Sequence, residues 1–191
     1  RAIMILAASF HIHEEGFEHQ IDVAKDVTQP EDLLNWNDLL FKYESVLSQE
    51  AKFFLKMPRP IEFKPMFYDI PDNGKSLPPI NHVWFKLKNE FKSSSLALKH
   101  QVLTYISDYN ILITAMHPHA STNHWSDFIT ASLDNSIWFF RDFDFNDWML
   151  FSIDSPSSQN ARGFSRGNIF TKDGVLIASV AQEGLMRPIE S

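Results

Sequence analysis

Two short stretches near the middle of the chain alternate between apolar and polar side chains. Residues 61–67 (IEFKPMF) and 82–88 (HVWFKLK) follow the period of two that is typical of a strand with one buried face. Pro65 has no backbone N–H to give to a neighbouring strand, so we expect the first stretch to lie at a sheet edge or a bulge. Residues 2–12 (AIMILAASFHI) are apolar on both faces and predict a strand buried within a larger sheet.

Apolar residues recur at helical spacing in two other stretches. One helix is predicted from Pro30 up to a stop at Met57-Pro58, with acidic residues in its first turn. The second is the longest predicted helix: the serines at 93–95 offer N-caps, and residues 96–117 carry apolar side chains on more than one face. A helix of this kind is expected to be wrapped by a sheet.

The last third of the chain consists of apolar segments separated by turn signals. They predict four strands, over roughly residues 128–140, 147–155, 161–171 and 174–185. The short connections between these segments favour antiparallel pairing. Together with the earlier strands and the long helix, they predict an α+β fold in which one helix packs against one antiparallel sheet.

Composition limits the class of function. The 191 residues are 44% hydrophobic and include 17 phenylalanines, which suits one substantial core. The net charge of −7, without a basic cluster among the aromatic residues, argues against nucleic-acid binding. No apolar run approaches the ~20 residues that a membrane-spanning helix needs, so membrane insertion is not expected. The lack of cysteine excludes disulfides, thiolate metal sites and a cysteine nucleophile, and suits a reducing compartment.

Three isolated polar residues interrupt the apolar segments of the last third, namely Asp134, Ser155 and Gln182. Burying such a group without a partner costs roughly 2–7 kcal/mol, so the three are candidates for a shared task. Taken singly, each has an ordinary structural interpretation as a turn, cap or surface residue.

Other candidate chemistry is weaker. A proline-containing loop carries metal-ligating side chains, but histidines in such a loop are more often polar surface, so neither a metal nor another cofactor is expected; these residues are His117, His119, His124 and Asp127. The chain has no GxSxG, P-loop or GxGxxG motif, which argues against a serine hydrolase, an NTPase and a Rossmann enzyme.

Five blocks in the last third carry a specific resemblance to a known family. They are residues 132–139 (SLDNSIWF), 147–151 (DWMLF), 161–164 (ARGF), 173–176 (DGVL) and 182–187 (QEGLMR). In this order and at this spacing, they resemble the acyl-CoA thioesterase II family. The resemblance implies the hot-dog fold, in which an antiparallel sheet wraps around one long helix. It also implies hydrolysis of fatty acyl-CoA to free fatty acid and CoA.

The same resemblance implies a division of the chain, because the family joins two hot dogs in tandem. Residues 1–29 would hold the last strand of an otherwise absent N-terminal hot dog plus a linker, and residues 30–191 the linker helix and the C-terminal hot dog. The sequence starts at Arg1 without a Met, so we expect a fragment or a processed piece. An exposed sheet edge would then require a partner, either a second copy in a homo-oligomer or a separate N-terminal hot-dog chain.

Within the family pattern, Asp134, Ser155 and Gln182 match the catalytic positions. Asp134 would be the general base that orients and deprotonates a water molecule, while Ser155 and Gln182 would hold that water. Ser157 and Ser158 follow closely and are alternatives for the hydroxyl. Backbone N–H groups at a helix N-terminus would bind the oxyanion.

The resemblance also bears on substrate binding. Three cations are candidates for binding the phosphates of CoA, or are equally well outward-facing strand residues; they are Arg162, Arg166 and Lys172. The family commonly has histidine where this chain has Asn135 and Phe140, and these departures leave the hydrogen bonding of the site open.

Two other functions stay open at this point. A hot-dog enoyl-CoA hydratase would carry a histidine five residues after its aspartate, and Phe139 at that position argues against it. A non-catalytic acyl-CoA-binding or assembly half, which needs a separate N-terminal hot dog, is the main alternative. The chain does not end in a peroxisomal tripeptide, so we expect a cytoplasmic protein, with the peroxisome as the alternative for a truncated eukaryotic chain.

Overall fold

Seven strands form one antiparallel sheet in the part of the chain that the computed structural model describes, residues 3–68, 76–119 and 127–189. The strands are β1 (Ile61–Pro65), β2 (Ile80–Leu87), β3 (Phe128–Ser132), β4 (Ser136–Phe139), β5 (Met149–Gln159), β6 (Arg162–Thr171) and β7 (Leu176–Pro188). Their order is β1-β2-β5-β6-β7-β3, and β4 also pairs with β7. The strand that contains Pro65 lies at an edge of the sheet, as predicted.

Four helices and two short 3₁₀ turns complete the described structure. The helices are α1 (Trp36–Tyr43), α2 (Gln49–Lys56), α3 (Leu96–Ser107) and α4 (Ile111–Met116), and the turns are Pro30–Asp32 and His117–His119. Instead of one helix from Pro30, the chain forms a 3₁₀ turn, α1 and α2, because Asn35 and Ser48 each cap a new helix. The predicted serine cap of the longest helix is confirmed, since the Ser95 side chain accepts a hydrogen bond from the N–H of Leu98.

The prediction of one continuous helix over residues 96–117 is wrong. The helix divides after Ser107, and Asn110 has a φ of 66° in the left-handed region. Asparagine tolerates this conformation better than most residues because its short side chain bonds locally. Asp108 is therefore the cap of α3 at a break between two helices, rather than a residue inside one helix.

The main hydrophobic core lies between the helices and one face of the sheet, which we call the inner face. Leu103 and Ile106 of α3 and Ile111 of α4 are fully buried there. They belong to one cluster with strand residues, among them Phe63, Phe85, Phe151, Ile169 and Val180. The predicted packing of helix against antiparallel sheet is confirmed.

An N-terminal strap, residues 20–33, crosses the opposite or outer face. Side chains of the strap pack on a second buried cluster of Trp84, Leu150, Phe170 and Leu176; they are Val23, Val27 and Leu33. The indole N–H of Trp84 donates to the carbonyl of Thr28 at 2.8 Å, and the Gln20 side chain bonds the backbone of residues 174 and 176. The strap thus replaces solvent over part of the outer face.

Three further predictions differ from the structure or lie outside it. The strand predicted over residues 128–140 is two strands, interrupted at residues 133–135. Residues 3–12 form neither helix nor strand and are exposed, since no described strand pairs with them. Residues 69–75 and 120–126, which belong to two predicted loops, lie outside the described residues. The division into two hot dogs stays a prediction.

The described helices were also compared with the length and hydropathy that a membrane span requires. None of the helices in the described ranges satisfies both.

Candidate active site

A carboxylate at the helix break accepts two side-chain hydrogen bonds. Asp108 Oδ1 accepts from the Ser132 hydroxyl at 2.8 Å and from the Gln182 amide Nε2 at 2.6 Å. These residues come from three separate elements: the cap of α3, the last residue of β3 and the middle of β7. A hydroxyl, an amide and a carboxylate brought together across 74 positions of sequence are a candidate active site.

Strand register explains why Ser132 and Gln182 meet. Ser132 lies directly opposite Gly184 of β7, and Gln182 is two residues earlier on the same strand. Residues two apart share a face, so both side chains leave the inner face of the sheet. Sequence alternation therefore places them together, although 50 positions separate them.

The approach of α4 brings Asp108 to them. A Cβ added at Gly184 would lie 2.5 Å from Leu112 Cδ1, so the absent side chain allows the first turn of α4 to pack on β7. The helix break at residues 108–110, directly before α4, then brings Asp108 to Gln182. The position of Asp108 thus depends on the break and on a glycine in the opposite strand.

The three residues differ in exposure. Gln182 is only 2% exposed, whereas Asp108 and Ser132 are exposed to solvent. A buried amide therefore holds one oxygen of a carboxylate that water can reach. Such a group can orient a water molecule and accept its proton, which is the requirement for general-base hydrolysis.

The structure places only one of the three sequence-predicted residues in this cluster. Gln182 is in it, but the Asp134 carboxylate accepts the backbone N–H of Glu183 at 2.8 Å and is exposed. The buried Ser155 hydroxyl donates to the carbonyl of Phe164 at 2.7 Å. Among the described residues, no hydrogen bond joins Asp134, Ser155 and Gln182 to one another.

The alternative serines also bond elsewhere or lie apart from the cluster. Ser158 donates to the carbonyl of Ala115 at 3.4 Å, and Ser157 pairs with Phe164 across β5 and β6. Asn135, at one of the family's histidine positions, donates to the hydroxyl of Ser107 at 3.3 Å, next to Asp108 in sequence. Asn135 thus lies beside the cluster.

The three predicted phosphate-binding cations each pair with a carboxylate. Arg162 pairs with Glu183 at 3.0 Å, Arg166 with Asp154 at 3.0 Å, and Lys172 with Glu31 at 2.6 Å. The inner face of β6 carries Gly163, Ser165 and Gly167, so the two arginines leave the outer face, away from Asp108. The ion pairs raise the pKa of Arg166 and Lys172.

The histidine loop does not form a metal site in the described part of the chain. Among the described residues, no group of three or more histidine, cysteine or acidic side chains has the geometry to hold a metal ion. His117 is buried, and its Nδ1 lies 3.2 Å from the carbonyl of Ile80. His124, another of the candidate metal ligands, lies outside the described residues.

Sequence reasoning missed Asp108 and Ser132. Asp108 lies inside the helix predicted over residues 96–117, and Ser132 lies inside the strand predicted over residues 128–140, so neither was singled out. A signal was present, because Asp108 and Asn110 interrupt an apolar run in ISDYNIL, and both favour helix ends over helix interiors.

The curled antiparallel sheet with its few helices defines a hot-dog protein. A crystal structure from Alicyclobacillus acidocaldarius, described as a conserved protein of unknown function with hot dog fold, matches with a TM-score of 0.62 at 12% identity. The match covers 93% of this chain and 60% of that one. At this identity the likeness shows the fold alone, and it confirms the predicted α+β hot-dog fold.

Sequence comparison then defines the family. The model of the acyl-CoA thioesterase family matches residues 48–185. An acyl-CoA thioesterase 2 from Haemophilus influenzae is 37% identical over 182 residues, which are 95% of this chain and 63% of that protein. An acyl-coenzyme A thioesterase 8 from Mus musculus is 32% identical and covers 98% of this chain and 60% of its own length. The chain belongs to the acyl-CoA thioesterase family.

A solved structure agrees with this assignment. The acyl-CoA thioesterase II TesB2 from Mycobacterium marinum matches at 27% identity with a TM-score of 0.69, over 93% of this chain and 60% of that one. The predicted resemblance to the thioesterase II family is thus confirmed. The chain spans less than two thirds of the length of each of these relatives.

Proposed function

We propose that this protein hydrolyses fatty acyl-CoA thioesters, with Asp108 as the general base. The observation that carries the proposal is the Asp108 carboxylate, which is exposed to solvent and fixed by Ser132 and Gln182. Family membership supports the substrate class, because relatives over nearly the whole of this chain are named acyl-CoA thioesterases.

In the proposed reaction, a water molecule attacks the thioester carbonyl carbon. Both observed hydrogen bonds go to Oδ1 of Asp108, so we assign the proton of the attacking water to Oδ2. The C–S bond breaks, CoA leaves as a thiolate, and the proton held by Asp108 returns to the thiolate or to solvent. A thiolate is a good leaving group, so the site does not require a strong general acid.

Ser132 and Gln182 would act by positioning. Each donates to the carboxylate, which restricts its rotation and keeps the second oxygen directed at the water. Asp134 and Ser155, the residues first predicted for the base and the hydroxyl, remain alternatives. Their observed bonds to backbone groups favour a structural role for both.

The test compares the two sets of residues in one assay. Release of free thiol from a panel of acyl-CoA esters would be measured for the unaltered protein, for Asp108→Asn and Ser132→Ala, and for Asp134→Asn and Ser155→Ala. We expect Asp108→Asn to lower kcat about 10²–10⁴-fold, because it removes the base. The Asp134 and Ser155 variants should keep most activity per folded molecule. Loss in Asp134→Asn with retention in Asp108→Asn would return the base to Asp134.

A second candidate is a non-catalytic, acyl-CoA-binding or assembly half. It is favoured by exposed apolar side chains at one edge of the sheet, since Ile129 of β3, Leu133 in the connection after it and Trp138 of β4 are each more than half exposed. We propose that this surface, at the edge strand β3, meets a second copy of the chain or a separate N-terminal hot-dog chain. The cytoplasmic location stays a prediction.

Calorimetry and light scattering separate the two candidates. Binding of a non-hydrolysable acyl-CoA analogue without any thiol release from acyl-CoA would identify a binding half. Turnover by the protein would identify an enzyme, and light scattering would give the number of copies in the active species.

A further inference from the structure

The buried oxygen of Gln182 has no assigned function in the proposed site. The Nε2 of this amide donates to Asp108, but Oε1 is buried and has no hydrogen-bond partner within the described part of the chain. A buried amide oxygen without a partner is costly, and such groups in native proteins are nearly always bonded to protein or to ordered water.

A second unpartnered group lies directly across the strand pair. Ser165 of β6 is the register partner of Gln182, is 1% exposed, and its hydroxyl also has no partner among the described residues. Directly opposed residues of an antiparallel pair share a face, with Cβ atoms about 4.5–5.5 Å apart. The two groups have matching chemistry, because a hydroxyl donates and an amide oxygen accepts.

The surroundings of Ser165 indicate that its hydroxyl is shielded from bulk solvent. On the inner face of β6 it lies between Gly163 and Gly167, where added Cβ atoms would come within 2.6 Å of Ala115 and Phe151. The strand is therefore closely covered on both sides of Ser165, and the hydroxyl has little access to bulk water. To form a hydrogen bond at this position, the Ser165 hydroxyl needs either a partner from the protein or one enclosed water.

We propose that Ser165 is a positioning residue for the proposed hydrolytic site. Its hydroxyl donates to Gln182 Oε1, directly or through one ordered water. This bond fixes the orientation of the amide, since a rotated amide would turn its oxygen towards the Asp108 carboxylate and repel it. Ser165 thereby keeps Nε2 directed at Asp108. The inference rests on the proposed function and adds to it a residue that does not contact the reacting atoms.

The test is a double-mutant cycle with a matched control. Ser165→Ala, Gln182→Ala and the double variant would be compared for kcat and KM with one acyl-CoA ester. Ser179→Ala is the control, because it removes a serine hydroxyl from the outer face of β7, where Ser179 donates to Asn168. We expect Ser165→Ala to lower kcat about 3- to 10-fold at unchanged KM, and to have no further effect once Gln182 is alanine. The control should match the unaltered protein.

A readout that does not depend on turnover keeps the test valid if the proposed activity fails. The side-chain amide signals of Gln182, identified by their loss in Gln182→Ala, would be followed by ¹⁵N NMR. We expect Ser165→Ala to shift these signals and to speed exchange of their protons with solvent, and Ser179→Ala to leave them in place.

Several results would overturn the proposal. Unmoved Gln182 amide signals in folded Ser165→Ala would do so, as would an equal loss of kcat in the presence and absence of Gln182. A further buried donor, Nδ2 of Asn110, also has no partner in the described structure. If Asn110→Gly, which tolerates the positive φ, couples to Gln182 while Ser165→Ala does not, the positioning residue is Asn110 instead.

Discussion

At the scale of single residues, hydrogen-bond partners distinguish Asp134, which stands out in the sequence, from Asp108, which does not. Asp134 binds a backbone N–H and holds the connection between β3 and β4 against β7. The Asp108 carboxylate accepts hydrogen bonds from two side-chain donors, and it is exposed at a helix break. The hydrogen bond of Asp134 to the backbone indicates a structural role, whereas the exposed Asp108 carboxylate, held by two side chains, is available to react with water.

His117 gives a residue-scale prediction about stability and pH. Burial lowers its pKa below the usual 6.5, although hydrogen bonds to the carbonyls of Ile80 and Pro78 oppose the change. The unfolded chain therefore protonates His117 more readily than the folded protein does. The folded state has its full stability with respect to this group above pH 6.5, and it loses stability as pH falls towards the lower folded pKa. We expect the urea midpoint to fall between pH 8 and pH 5, and to fall less in His117→Gln.

The control for this prediction is a histidine that the fold does not bury. His13→Gln should show the same loss between pH 8 and pH 5 as the unaltered protein, because His13 is exposed. A His117→Gln midpoint that falls as steeply as that of the control would assign the acid sensitivity to other groups.

At the scale of elements, the two-helix arrangement and the glycines beneath it determine the site. The short α4 lies close to the sheet because Gly163 and Gly184 leave room for Ala115 and Leu112. This close approach, together with the left-handed Asn110, carries Asp108 over β7. The glycines in the strands and the left-handed Asn110 between the two helices therefore position Asp108 together.

Gly163→Ala tests this packing. The new Cβ would lie 2.5 Å from Met186 Sδ and 2.6 Å from Ala115 Cβ. The methionine side chain is able to move aside, but the Cβ of Ala115 is fixed to α4, so the helix itself must shift. We expect a loss of about 1–3 kcal/mol in the free energy of unfolding, measured with urea.

Gly16→Ala is the matched control for the packing test. A Cβ added at Gly16 has nothing within 4 Å, so the free energy of unfolding should change by less than about 0.5 kcal/mol. Equal stability of the two variants would show that α4 adjusts without cost.

At the scale of the whole molecule, the two faces of the sheet have different coverings. The helices bury the inner face, and the strap of residues 20–33 covers part of the outer face over Trp84 and Leu150. Ion pairs such as Lys172–Glu31 and the bond from Lys64 to the carbonyl of Pro30 fasten the strap at its end. The outer face is therefore a structural surface, and the proposed chemistry belongs to the inner one.

Trp84→Phe is expected to loosen the strap. The change removes the N–H that bonds to Thr28 and part of a side chain that is 2% exposed. We expect the free energy of opening the strap to fall by about 1–2 kcal/mol, which raises the population of the open strap roughly 5- to 30-fold. Trypsin cleavage after Lys25, which lies in the strap, should accelerate accordingly, as followed by mass spectrometry.

Trp138→Phe serves as the comparison for the strap, because Trp138 is 54% exposed on β4 and lies outside the strap. Its cleavage after Lys25 should proceed at the rate of the unaltered protein. If both variants are cleaved at one rate, the bond from Trp84 to Thr28 does not hold the strap.

Much of the fold was predictable from local pattern. The strands at 61–65 and 80–87 and those of the last third follow alternation, which depends only on which side chains face the core. Ser95 was predictable as a cap because its bond is to a residue three positions away. The break at residues 108–110 was harder to predict, because its only local signal is the pair of polar residues Asp108 and Asn110, and helical spacing of apolar residues resumes beyond it.

The candidate site was predictable only in part. Gln182 could be found because it interrupts an apolar strand and lies in a block shared with the family. Asp134 and Ser155 stood out because they also interrupt apolar segments, yet their side chains bond to backbone groups. Isolation in an apolar segment shows that a polar residue needs a partner, but it does not say whether that partner is backbone or another side chain.

The fold class, most of the strands, the family and one residue of the candidate site follow from the amino-acid sequence. These features depend on local periodicity and on short blocks of residues, both of which can be read along the chain. The meeting of Gln182 with Asp108 and Ser132 follows from the folded chain instead. This meeting depends on the register of β3 against β7, the break after α3 and the approach of α4 over Gly184. Each joins residues distant in sequence, so no local pattern contains it.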